Sequence, residues 1–365
     1  MSTPAPGRRF RTMIRRKLAI TAGAVLVGGV LAGGALAAAP AQASDLSDTV
    51  QVLGWADPAA DHPALSHNIH NADNSYQGWN TVEGNGGAAY FDTVAGGIFS
   101  ASIAALPDGS TQSVAIGEDG ALYHNIRYAS GYWQGWVRVE GNGGAKYFLG
   151  TDPSIAGLPD GSSQLIETGD DGNLYFNIRY ASGYWQGWAA LPGIAGAKYF
   201  SDQSASITGM TDDSSQIIAV LSGTHETYHN IRNAAGVWQG WMPVEGEYGA
   251  KTFDGRDPSI TGMPDGSSQI VETDVNGEVM HNIRFSNGQW QGWIPVEGLY
   301  GEANLIGTGW IVGLPDGSSQ VFATQGSNFL TTWENTRDIN GVWSGWTHVP
   351  GPDQLVAAAG FGSVS

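Results

Sequence analysis

The chain contains no cysteine. That excludes disulfide bridges, thiolate metal sites and cysteine nucleophiles. Charge is scarce as well: Asp, Glu, Lys and Arg make up 14% of 365 residues, and only 16 of these are basic. No stretch within the repeating part shows the 3.6-residue apolar stripe of a long helix. G-x-S-x-G, Walker and H-E-x-x-H motifs are absent too. What is abundant is glycine, 54 residues, in a chain that is 41% hydrophobic. That composition implies many tight turns around a sizeable core.

The first 43 residues read as a signal peptide. Arg8, Arg9, Arg11, Arg15, Arg16 and Lys17 form a basic head, Leu18 to about Ala39 an apolar run, and Ala41-Gln42-Ala43 a small-residue cleavage signal before Ser44. The small-residue exit argues against a retained membrane anchor, and the paired arginines are too imperfect a motif to choose an export route. The expected mature chain, 44–365, is extracellular. Cleavage removes six of the sixteen basic residues and no acidic one, leaving ten against 34, formally −24. A charge of that sign repels phosphate backbones and anionic lipids, so neither nucleic acid nor membrane insertion is expected.

The dominant feature is an internal repeat. A W-x-G-W element closes at Trp136, Trp188, Trp241 and Trp293, and related copies at Trp79 and Trp346; successive spacings are 57, 52, 53, 52 and 53. "LPDGSSQ" at Leu158 and Leu314, with variants at Leu106, Met210 and Met263, keeps the same beat. Within one period "SIAGL", "SSQLIET", "NLYFNIRY" and "YWQGWAAL" read as four short strands separated by glycine turns. Four-stranded units of about fifty residues indicate β-propeller blades. The fold class is therefore all-β: one propeller of six four-stranded blades, seven being the less favoured count. Blade one lacks an upstream innermost strand, and the apolar tail Gln354–Ser365 is expected to supply it and close the ring.

These units, "HNIR-x-A-x-G-x-WQGW" and "LPDGSSQ", resemble those of the PLL-like bacterial β-propeller lectins over about Val50 to Val349. The best-known members have seven blades and bind fucose-type sugars between blades. The resemblance implies a secreted lectin with glycan partners, no catalytic residue and no cofactor.

Read physically, "LYHNIRYASGYWQGW" (Leu122–Trp136) is a hairpin. A two-residue loop at Ser130-Gly131 would put Asn125, Arg127, Gln134 and Trp136 on one face and His124, Ile126, Tyr128 and Trp133 on the other. The first set combines amide and guanidinium groups for sugar hydroxyls with an indole for the apolar side of the ring. The quartet recurs complete as Asn177, Arg179, Gln186 and Trp188; Asn230, Arg232, Gln239 and Trp241; and Asn282, Arg284, Gln291 and Trp293. Blade one carries Asn68, His70, Gln77 and Trp79, and blade six Asn335, Arg337, Ser344 and Trp346, so the end blades are expected to bind differently. A scaffold role stands beside the ligand role for the asparagines and arginines, and packing between blades is the stronger reading for the closing tryptophans. "PDGSSQ" reads as turn chemistry.

His67, His124, His229 and His281 share one repeat position in four blades, which keeps them apart and points away from a metal cluster. The acidic turns "GEDG" and "GDDG" lack the alternating ligands of a calcium loop. Two other classes stay open: a protein-docking propeller scaffold, and a propeller glycosidase. The second needs paired carboxylates that no sequence feature nominates.

Overall fold

The computed structural model describes residues 49–56, 64–82, 101–117, 121–139, 153–169, 171–191, 200–221, 224–244, 253, 258–296, 309–325, 331–351 and 354–359. The signal segment, Glu118–Gly120 of one acidic turn, Asp170 of the other and the last six residues of the tail lie outside the described residues. The strands form six four-stranded antiparallel sheets, each one blade of a six-bladed propeller. In blade two, for example, Ala101–Ala105, Thr111–Ile116, Leu122–Arg127 and Val137–Arg138 follow one another across the sheet. Blade one is assembled from both ends of the chain. Gln354–Ala359 pairs with Val50–Ala56, placing Val52 opposite Ala358, and becomes the innermost strand.

Each blade junction buries one hydrophobic cluster. Between blades one and two, Leu53, Leu65 and Val82 pack on Ala101, Ile103, Trp133 and Trp136. Equivalent clusters recur at the other five junctions, and in each the two tryptophan positions of W-x-G-W reach toward the preceding blade. The innermost strands approach so closely that a Cβ on Gly157 would lie 2.0 Å from the Ala105 carbonyl oxygen, which explains that glycine. Their outward N–H groups are taken by the preceding blade: Ser102 Oγ accepts from Ile155 (3.2 Å), Ser154 from Ile207 (3.1 Å) and Ser259 from Ile311 (3.1 Å).

"DGSSQ" resolves residue by residue. Asp160 accepts the Ser162 N–H (2.8 Å) and Gly161 supplies the left-handed turn (φ 79°). Ser163 Oγ donates to Gln112 of the preceding blade (2.8 Å), and the same oxygen of Gln112 meets His124 Nε2 at 2.8 Å. This latch links neighbouring blades again at Ser215–Gln164, Ser268–Gln216–His229 and Ser319–Gln269–His281. The motif is scaffold throughout.

Candidate functional site

The W-Q-G-W segment is not a regular strand. Tyr128 N–H donates to the Tyr132 carbonyl (2.9 Å), Gly131 N–H to the Tyr128 carbonyl (2.8 Å), and Arg127 bridges Trp133. The loop therefore holds three residues, Ala129–Gly131, with Gly131 left-handed (φ 86°), rather than the two expected. Pairing resumes at His124 with Val137, one residue out of step, so the chain bulges at Gly135 (φ 99°). The bulge leaves the Gly135 N–H without a ladder acceptor, and Asn125 Oδ1 supplies one at 2.9 Å. The same bond joins Asn68 to Gly78, Asn177 to Gly187, Asn230 to Gly240, Asn282 to Gly292 and Asn335 to Gly345, at 2.9–3.0 Å. That is why the asparagine never varies along the chain.

A shift of one residue flips side chains between faces. Gln134 moves to the face of Ile126 and Tyr128, and Trp133 joins Arg127. The expected quartet is thus taken apart. Asn125, Asn177, Asn230 and Asn282 are buried to 2% exposure or less, holding the bulge. Trp136 and Trp293 are buried, at 9% and 6%, and Trp188 and Trp241 pack partly buried against their clusters. Arg127, Arg179, Arg232 and Arg284 face the preceding blade, while Gln134, Gln186, Gln239 and Gln291 face the following one.

The pieces meet again across each junction. Between blades four and five a groove of about 120 Å³ is lined by His229, Ile231, Gln239, Met242 and Pro243 on one side and by Arg284, Gly288 and Trp290 on the other. Arg284 lies along its own turn, where a Cβ on Gly288 would meet Nη2 at 3.2 Å; Arg127, Arg179, Arg232 and Arg337 repeat that packing. Each arginine also faces the preceding blade's third strand. Arg127, Arg179, Arg284 and Arg337 depress the pKa of His67, His124, His229 and His281, which burial above all holds near 3. In the third junction the histidine is replaced by Phe176, whose ring lies 5.5 Å from Arg232 Cζ. Partial burial lowers all five guanidinium pKa values. Among the described residues no carboxylate lies within ion-pair distance of any of the five. The groove between blades four and five thus presents a half-buried guanidinium, an amide from the neighbouring blade and an indole, and the sequence repeats these residue types at four other junctions.

The sixth junction, between blades six and one, is built differently. His70 stands at the arginine position, Tyr76 at the first tryptophan, Glu334 at the histidine and Ser344 at the glutamine. Tyr76 O–H donates to Glu334 (2.6 Å), His70 stacks on Tyr76 at 4.5 Å, and His70 Nδ1 meets Gln320 at 3.2 Å. Burial and Glu334 hold the Tyr76 phenol well above its usual pKa. The two departures that marked blades one and six as separate exceptions therefore fall in one junction, and five junctions keep both arginine and glutamine.

The four histidines sit at separate junctions, each on its own glutamine, and among the described residues no three His, Asp or Glu side chains gather as a metal site would require. Asp171 of "GDDG" accepts the Asn173 N–H and the Tyr175 O–H, closing its own hairpin. The first tryptophan of W-x-G-W, as in Trp290, was not among the expected ligand groups. The signal that finds it is the third loop residue, which sequence alone did not separate from a two-residue turn.

No family model and no curated protein matches the chain. Solved structures do share its fold. A lectin, BP39L from Burkholderia pseudomallei, aligns with a TM-score of 0.60 at 14% identity, covering 84% of this chain and 82% of its own. TolB from Acinetobacter baumannii gives 0.55 at 13%, covering 87% and 67%. A variant of the Aleuria aurantia lectin in complex with Fucα1-6GlcNAc gives 0.53 at 10%, covering 82% and 89%.

Proposed function

We propose that the protein is a secreted, multivalent carbohydrate-binding protein with one shallow sugar site at each of five blade junctions. The observation that carries this reading is the set of five half-buried arginines with no carboxylate within ion-pair distance among the described residues, each paired with the first tryptophan of its own hairpin, and in the groove between blades four and five meeting a glutamine of the preceding blade. A guanidinium and an amide offer fixed donors and acceptors to ring hydroxyls, and the indole offers an apolar surface to the C–H side of a pyranose. Fucosides are the first sugars to test, because one lectin of the same fold was solved with a fucosylated disaccharide.

A groove of about 120 Å³, as between blades four and five, is small enough to take one sugar ring. Every bond to the sugar replaces one to water, which keeps the net gain small. Dissociation constants near millimolar, about −4 kcal/mol, follow for a free monosaccharide. Repetition around one rigid ring then adds roughly 10²–10⁴-fold on a dense glycan surface. Calorimetric titration of a monosaccharide, compared with retention on such a surface, tests the proposal. Weak binding at about five sites per chain with a large surface gain supports it. A single tight site, no surface gain, or turnover of the glycan in place of retention counts against it.

A further inference from the structure

The hairpin tips divide the five grooves into two kinds. Tyr128 and Tyr132 pair across the tip of blade two, and Tyr180 and Tyr184 across the tip of blade three. The register puts Tyr128 and Tyr132 on the face of Gln134, toward blade three and its Arg179. Tyr128 raises the pKa of Arg179, and Tyr180 that of Arg232, which places each tyrosine beside the arginine of the next blade. Within each pair the rings are nearly parallel, at 7°, with centroids 6.2–6.3 Å apart. The outer ring of each pair is 65% exposed and the inner 42%.

Exposure of that size contributes little to folding, and the turn does not require it. Equivalent tips carry Asn71 and Ser75, Asn233 and Val237, Phe285 and Gln289, or Asp338 and Val342, on the same three-residue loop. The pair is also wired to its groove: Tyr180 O–H donates to Gln186 Oε1 at 3.2 Å, and Tyr128 O–H approaches Gln134 Oε1 at 3.5 Å. Flat exposed aromatic faces beside an arginine and a glutamine of the junction match the apolar face of a second sugar ring.

We infer that the grooves between blades two and three and between blades three and four bind a glycan chain of two or more rings, with the second ring on the tyrosine pair, whereas the other grooves take a terminal sugar alone. This rests on the sugar-binding reading above. The test titrates a methyl monosaccharide, a disaccharide ending in that sugar, and its aryl glycoside into the wild-type protein and into the double variant Tyr132→Ala/Tyr184→Ala. A variant with Val237→Ala, at the same tip position of blade four, is the control. The wild type should bind the disaccharide about five- to tenfold more tightly than the monosaccharide at two sites. The double variant should lose that gain while keeping its monosaccharide affinity and its Tm, and Val237→Ala should keep the gain. An undiminished gain in the double variant, no gain in the wild type, or a gain seen only with the aryl glycoside would overturn the inference and leave the sugar sites standing. Failure of every sugar to bind the wild type would remove the sugar-binding reading and this inference with it.

Discussion

Five junctions of the propeller and the sixth solve one packing problem in two ways. At the five, a half-buried arginine lies along a glycine turn with no carboxylate within ion-pair distance among the described residues, and between blades four and five an open groove is left beside it. At the sixth, Tyr76 donates to Glu334, His70 meets Gln320 and stacks on Tyr76, and these side chains pack the junction from within. This is the seam where the ring is completed: Trp79 Nε1 donates to the Pro350 carbonyl (3.2 Å), and the chain then supplies the innermost strand of blade one. The chain runs on through this junction into blade one, and the ring is closed there by the pairing of Gln354–Ala359 with Val50–Ala56. On the proposed reading, ligand capacity lies at the five arginine junctions and the sixth is packed from within.

The largest expected effect comes from opening the seam. Deleting Gln354–Ser365 removes the strand that pairs with Gln51–Trp55 and exposes a sheet edge. A loss of several kcal/mol, about 10 °C or more in Tm, is expected in a thermal melt. An unchanged Tm would mean that the tail does not close the ring in solution.

Acid comes next, and it acts on the junctions rather than the seam. His67, His124, His229 and His281 have folded-state pKa values near 3, mainly through burial, against 6.5 when exposed. The unfolded chain therefore takes up protons that the folded one refuses. Stability is full above about pH 6.5 and falls as pH drops from there toward 3. Phe176, edge-on to Trp238 at 5.2 Å much as His124 is to Trp185 at 5.4 Å, shows that a phenyl ring fits this position. His124→Phe should accordingly reduce the pH slope of stability between pH 6.5 and 4 by about one proton, read from urea unfolding at several pH values. A slope equal to wild type would show that these histidines do not drive acid unfolding.

Glu272 gives the opposite sign. It is fully buried between blades four and five with one hydrogen bond, from Thr227 (2.7 Å), and burial pushes its pKa up to about 8. The unfolded chain releases this proton above about pH 4.5 and the folded chain holds it, so stability falls as pH rises from 4.5 to about 8 and is level beyond. Glu272→Gln should raise Tm by several degrees at pH 8.5 and change little at pH 4; equal effects at both would discount titration.

The smallest effects separate the two kinds of junction most sharply. Tyr76→Phe removes the bond to Glu334 and should cost about 1–3 kcal/mol of stability while sugar stoichiometry is unchanged. Arg284→Met should leave Tm within about 1 °C and remove one site per chain. If Tyr76→Phe altered stoichiometry, or Arg284→Met altered only stability, closure and binding would not be assigned as described.

Much of this was legible in the chain. The repeat at 52–57 residues, the four short strands per period and the missing first strand of blade one together specify six blades and the tail that closes them. These are local patterns, written in glycine turns and in alternation along each strand, and they survive small errors of register. The site does not. Whether the turn at Ser130-Gly131 holds two residues or three is a difference of one, yet it moves Gln134 and Trp133 to opposite faces and turns one blade's quartet into two halves of neighbouring grooves. Asn125 could serve as ligand or scaffold until the bulge at Gly135 presented a backbone N–H that only its side chain reaches. His70 and Ser344, 274 positions apart, are single departures in the sequence and become one junction only when the ring closes. Sequence by itself determined the blades, because five are encoded within their own fifty residues and the first lacks a single strand that the tail supplies. Tertiary structure decided the sites, because each is built from two blades and depends on the register and the closure that bring them together.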